Sequence, residues 1–70
     1  MPGFSPELVA LMRTVLEDAM SRVPSSISNA TTKVLLAESI LKAASKGQTS
    51  YNGLLVAAMD QIQAIVSTLS

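Results

Sequence analysis

The sequence contains no cysteine, no histidine and no tryptophan, and the first two absences each close a class of chemistry. Without cysteine there are no disulfide staples, thiolate zinc sites or thiol nucleophiles. Without histidine, the commonest general base and the commonest metal ligand are missing. Charge is scarce too. Five basic and five acidic side chains cancel, and charged residues make up 14% of the 70 positions, against about 25% in an ordinary soluble domain. A net charge of zero argues against nucleic acid and anionic membrane as partners, since surplus Lys and Arg hold both. Long hydrophobic runs are also lacking. The most apolar stretch, residues 54–69, is interrupted by Asp60, Gln61 and Gln63, whereas a spanning helix needs about 20 predominantly apolar residues. The opening MPGFSPELVALM has no basic segment, and Glu7 stands where an uninterrupted apolar region would begin, so no signal peptide is expected. The expectation is a cytoplasmic protein that binds no cofactor and no metal.

Apolar surface is what the chain has in excess. Hydrophobic residues make up 49% of it, and the mean hydropathy is +0.42. The length allows one domain, residues 1–70, and a chain this small buries only about 60% of its unfolded surface.

Three amphipathic segments predict an all-α, up-down-up three-helix bundle, with helices at approximately 6–23, 31–46 and 50–68. Ser5 is placed as an N-cap, Pro6 at N1, and Glu7 in the first turn of helix one. Phe4 and Val9 have the spacing of a hydrophobic staple. Leu8, Leu11, Met12, Val15, Leu16, Ala19 and Val23 gather on one side, with Val9 and Met20 at its edge. That arc is wider than the roughly 100° stripe a core-facing helix requires. Pro24 stops the helix. Asn29, Thr31 or Thr32 can cap helix two, whose apolar face reads Val34, Leu36, Ala37, Ile40, Leu41 and Ala44. Gly47 suits the left-handed position after its last turn. Thr49 or Ser50 caps helix three, where Tyr51, Leu54, Leu55, Ala58, Ile62, Ile65, Val66 and Leu69 recur at threes and fours. Short connections predict antiparallel neighbours.

No residue set predicts catalysis. Glu17 and Asp18 are adjacent on a helix and point about 100° apart. The pairs Arg13–Glu17, Asp18–Arg22 and Glu38–Lys42 have i,i+4 spacing, worth a few tenths of a kcal/mol each. Serines and threonines are numerous, but no base is placed to activate them. Tyr51 falls on the apolar seam, as a core ring with its hydroxyl at the rim. The segment ILKAASKGQTSYNGLLVAAM has the outline of a helix-turn-helix through Ala43 and Gly47. It departs from that motif at Lys46, Gln48 and Gly53, and its second helix carries no Arg or Lys to read bases or phosphates. A capped turn between helices is the simpler reading.

The signal that remains is surplus apolar surface. Apart from Met1, the chain has 23 Val, Ile, Leu, Met and Phe residues, of which a bundle this size buries about 15 to 18. Leu35 falls out of phase on the polar side of helix two, and Val56 does so on helix three. The outer face of helix three holds Gly53, Ala57, Ala64 and one charge, Asp60. The candidate interface is therefore Leu35, Gly53, Val56, Ala57, Asp60 and Ala64. A second candidate is the wide arc of helix one, at Val9, Met12, Leu16 and Met20.

The run from PELVALMRTVLEDAMSRVP through ILKAASKGQTSYNGLLVAAMDQI resembles short helical proteins of rhizobial-type alphaproteobacteria, a group with no assigned activity. The resemblance covers most of the chain and implies a bacterial, intracellular, single-domain helical protein. It carries over no functional residues. The leading expectation is a homodimeric interaction module without enzymatic activity that binds a further protein. The alternatives are a carrier of apolar ligands or lipid, using Met12, Met20 and Met59, and a DNA-binding module.

Overall fold

In a computed structural model of the chain, the described residues are 4–69, with side chains described for residues 4–68. They form α1 (Pro6–Ser21), α2 (Ala30–Ser45) and α3 (Tyr51–Leu69), with a 3₁₀ turn at Ser25–Ile27 between α1 and α2. No strand occurs among the described residues, so the all-α three-helix fold is as expected.

The ends of the helices follow from local chemistry. Ser5 accepts a hydrogen bond from the Leu8 amide at 3.1 Å, with Pro6 at the first helical position. Asn29 is the cap of α2, accepting from the Thr32 amide at 2.9 Å, and Ser50 caps α3 by accepting from Gly53 at 3.1 Å. α1 stops short of the expected Val23. Its last turn tightens, with the Arg22 amide donating to Ala19 and the Val23 amide to Met20, ahead of a proline that disfavours helix in the residue before it. At the end of α2 the Gly47 amide donates to the Ala44 carbonyl and the Gln48 amide to the Ala43 carbonyl, both at 3.0 Å. With Gly47 at φ +100°, this is a Schellman closure. It turns the chain within residues 46–50, and α2 and α3 run antiparallel: Ser39 donates to Gln61 at 3.2 Å, and Leu35 shares a groove with Ala64 and Thr68.

One long-range contact marks where α1 sits along α3. The Tyr51 hydroxyl donates to Asp18 Oδ2, which places the C-terminal half of α1 against the first turn of α3. Were α1 and α3 parallel and level at their starts, Asp18 would lie about 18 Å along the axis from Tyr51, at 1.5 Å per residue. α1 and α3 are therefore not parallel and level at their starts. Residues 22–29 allow this because they are a structured segment rather than a tight turn. Val23 is buried, Ile27 packs on the core, and the Thr32 hydroxyl donates to the Ile27 carbonyl at 2.5 Å.

The core comprises Met12, Val15, Ala19 and Val23, then Leu36, Ile40 and Ala44, then Leu54, Ala58 and Ile62. Seven of these are Val, Ile, Leu or Met, well below the 15 to 18 expected; many others, including Leu8, Leu11, Leu16, Met20, Leu55 and Met59, are only partly covered. The Cα trace measures 39 × 22 × 17 Å. None of the described helices is long and apolar enough to cross a membrane.

Candidate functional site

Two faces collect the residues singled out from the sequence. The first is the seam between α2 and α3. Gly53, Val56, Ala57 and Asp60 line a shallow groove there with Lys42, Lys46 and Gln48, while Leu35 and Ala64 line a second groove that shares Gln61 with it. The six residues thus fall on one side of the molecule, but they do not form the outer face expected of them. Ala57 and the Ser39–Gln61 bond turn this side of α3 toward α2. The small residues let two helices of the same chain approach. A Cβ on Gly53 would lie only 2.1 Å from the Gln48 side-chain oxygen, so that glycine is already covered from within. Val56, at 59% exposed, Asp60 and Ala64 are what remains outward-facing.

The phase of α2 explains the discrepancy. Its buried residues are Thr32, Leu36, Ile40 and Ala44, a stripe turned by about 70° from the expected apolar face at 100° per residue. Leu35 is therefore half-buried toward α3 and not on a polar side. Val34 and Leu41, assigned to the core from the sequence, are exposed instead, at 56% and 46%. Thr32 was not legible as a core residue. It is buried because its hydroxyl and amide both have partners in the preceding segment, which removes the cost of burying them.

The second face is the groove between α1 and α2. Val9, Met12 and Leu16 line it from α1, and Ala37, Ile40 and Leu41 from α2; Arg13 is the single charged lining residue. Met12 forms its buried floor and Leu16 its half-buried wall, while Met20 packs on the core beyond it. Val9 also borders a neighbouring surface depression with the exposed Phe4. Val34 lies two turns from Leu41 on the same side of α2. The groove's volume is about 180 Å³, below the 300–1,000 Å³ of typical small-molecule pockets. Its long apolar rim suits another surface better than an enclosed ligand.

Four surface hydroxyls are engaged locally. Thr14 donates to Ala10, Ser21 to Asp18, Ser45 to Lys42 and Thr68 to Ala64, each bonding a carbonyl of its own helix. Among the described residues no three metal-ligating side chains converge, and no buried side-chain polar atom lacks a partner. Leu69, expected on the α3 seam, has its side chain outside the described residues, and Val66 is 40% exposed.

The Tyr51–Asp18 tie has a measurable signature. The hydrogen bond to Asp18, then desolvation and the negative charge of Asp18, raise the hydroxyl's pKa above the usual tyrosine value; Arg22 opposes the shift in part. Because the folded-state pKa exceeds the unfolded one, the contribution to stability is complete below about pH 10 and is lost as pH rises through the folded value. Tyr51 is the only tyrosine in a chain without tryptophan, so phenolate absorbance reads it alone. We expect a midpoint above that of the unfolded chain in denaturant, and a shallower loss of stability at alkaline pH in Tyr51→Phe. Equal midpoints in the folded and unfolded chains would refute the tie.

No family model, curated protein or solved structure matches this chain.

Proposed function

We propose that this protein is a non-catalytic interaction module that self-associates as a homodimer through the α1–α2 face, and that the assembled form binds a further protein in the bacterial cytoplasm. The observation that carries this reading is the exposure of Val9 and Leu41 along a groove floored by Met12 and Ile40, with Val34 exposed on the same side of α2 as Leu41. Burial of contiguous apolar area is the main driving force for association, and large exposed apolar patches mark interaction sites. The size of the core supports the same conclusion, since one copy leaves so many of its large apolar side chains incompletely covered. Of the two candidate interfaces, the helix-one arc is favoured over the α2–α3 seam, because packing within the chain already takes up Leu35, Gly53 and Ala57.

Sedimentation at micromolar concentration tests this directly. The wild-type chain should run as a dimer. Leu41→Lys should shift it to monomer while retaining helicity, because the exposed position leaves room for the lysine stem to lie along the surface. Val56→Lys, on the other side of the molecule, should leave the dimer intact. A well-folded wild-type monomer would defeat the proposal, and dissociation by Val56→Lys alone would move the interface to the α2–α3 seam.

A further inference from the structure

The Asn52–Gly53 dipeptide lies in the first turn of α3. In a flexible chain an asparagine followed by glycine loses ammonia readily, because no side chain on the glycine shields its backbone nitrogen. The Gly53 nitrogen attacks Asn52 Cγ as its proton is lost, the bond from Cγ to the side-chain nitrogen breaks, and ammonia leaves. Water then opens the cyclic imide at either carbonyl. One opening leaves aspartate, and the other leaves isoaspartate, with the main chain rerouted through the side chain. Asn52 is exposed, and its side chain makes no hydrogen bond among the described residues, so the reacting amide is open to solvent. The other asparagine, Asn29, is followed by Ala30 and caps α2.

Two features of the helix start oppose ring closure. The Gly53 amide donates to Ser50 Oγ at 3.1 Å, and the Leu54 amide donates to the Ser50 carbonyl, also at 3.1 Å. The first bond engages the very nitrogen that would attack, at a helix position whose amide has no intrahelical partner. The second closes the first turn and holds Asn52 near the helical ψ of about −42°. A five-membered imide forces that angle well away from the helical value, so cyclisation requires the first turn to open. Packing keeps the vulnerable pair in place. A Cβ at position 53 would clash with the Gln48 side chain, so any larger residue there must displace it.

We infer that Asn52 is a modification site gated by the Ser50 cap: the folded chain keeps its side-chain amide, and a chain whose α3 start has opened is converted there, irreversibly, to aspartate or isoaspartate. The consequence reaches beyond residue 52. Isoaspartate adds a carbon to the main chain and removes regular helix geometry from the turn that carries Tyr51, and with it the Tyr51–Asp18 tie between α3 and α1. A transient local opening is thereby recorded as a lasting loss of that contact.

Incubating the full chain at mildly alkaline pH tests the gate, with mass spectrometry separating amide, aspartate and isoaspartate at residue 52. Folded wild type should convert more slowly than the same chain unfolded in guanidinium chloride. Ser50→Ala should convert about fivefold faster than folded wild type while remaining helical by circular dichroism, since a helix cap shifts the local opening equilibrium by about that factor. Ser50→Thr, which restores a hydroxyl acceptor, should return the rate toward wild type. Asn29→Ala removes the cap of α2 at a similar cost but leaves Ser50 in place, so it should not accelerate conversion. Equal rates in the folded and unfolded chain, or in Ser50→Ala and wild type, would overturn the inference. Equal acceleration by Asn29→Ala would overturn it as well, by making global unfolding the gate.

Discussion

Leu54→Ala is expected to lower the unfolding free energy by about 2–5 kcal/mol, the loss seen when a buried leucine is truncated and the cavity only partly collapses. Leu54 has no exposed surface and sits in the first turns of α3, in a core cluster with Val15, Ala19 and Ala44. A domain of this length has about 4–10 kcal/mol in total, so the variant should lie near its unfolding transition at room temperature. Urea titration at one fixed protomer concentration checks this, since self-association makes stability concentration-dependent. With a slope of about 1 kcal/mol per molar for a small protein, the midpoint should fall by about 2 M or more. Leu41→Ala in the isolated chain is the contrast, because its side chain is 46% exposed. A cost below 1 kcal/mol at Leu54 would mean that the core does not lie where the three helices meet.

Ala58→Leu should be damaging for the opposite reason. Ala58 and Ala19 are both fully buried, on α3 and α1 respectively. Small side chains there suit a close approach of α1 to α3 within the shared core. Three added carbons have no void to enter, and overpacking a filled core costs about 1–3 kcal/mol. For a domain of 60–100 residues each kcal/mol lowers the melting temperature by roughly 4–8 °C. The variant should therefore melt well below wild type while keeping its helices, with poorer dispersion of methyl resonances as packing loosens. Ala64→Leu, at an exposed position on the same helix, should be tolerated. Equal melting of the two variants would refute the close approach.

The sequence was a good guide wherever the controlling physics is local. Ser5, Pro6 and Gly47 act within one turn of their own position, and all three do what their chemistry predicts. The faces of the helices were harder to read, because burial depends on neighbours that a periodicity does not name. In α2, Val34 and Leu41 outweigh Thr32, Ser39 and Ala43 on any hydrophobicity scale. The helix nevertheless turns the smaller set inward, since small side chains and paired hydroxyls permit close packing against α3 and the 22–29 segment. On α3 the same effect made Ala57 and Gly53 look like an open surface, when α2 and Gln48 already occupy that side. The path of α1 was illegible for a different reason. It is marked by Tyr51 and Asp18, which are 33 positions apart, and no local pattern announces their meeting. The surplus of apolar residues was legible as a total, while its location at Val9, Val34 and Leu41 required the fold.

The joint at Gly47 sets the terms on which this sequence can drift. A Cβ placed there would touch nothing within 4 Å, yet the backbone is held at φ +100°. The constraint is one of chirality and not of room. Neighbouring Lys46 and Gln48 can be rewritten with little effect on the turn, and a larger residue at position 47 would meet no obstacle in space. Only the handedness of L-amino acids stands against it. Among descendants that keep this hairpin, glycine, or failing that asparagine, should persist at this joint while the exposed faces around it diverge.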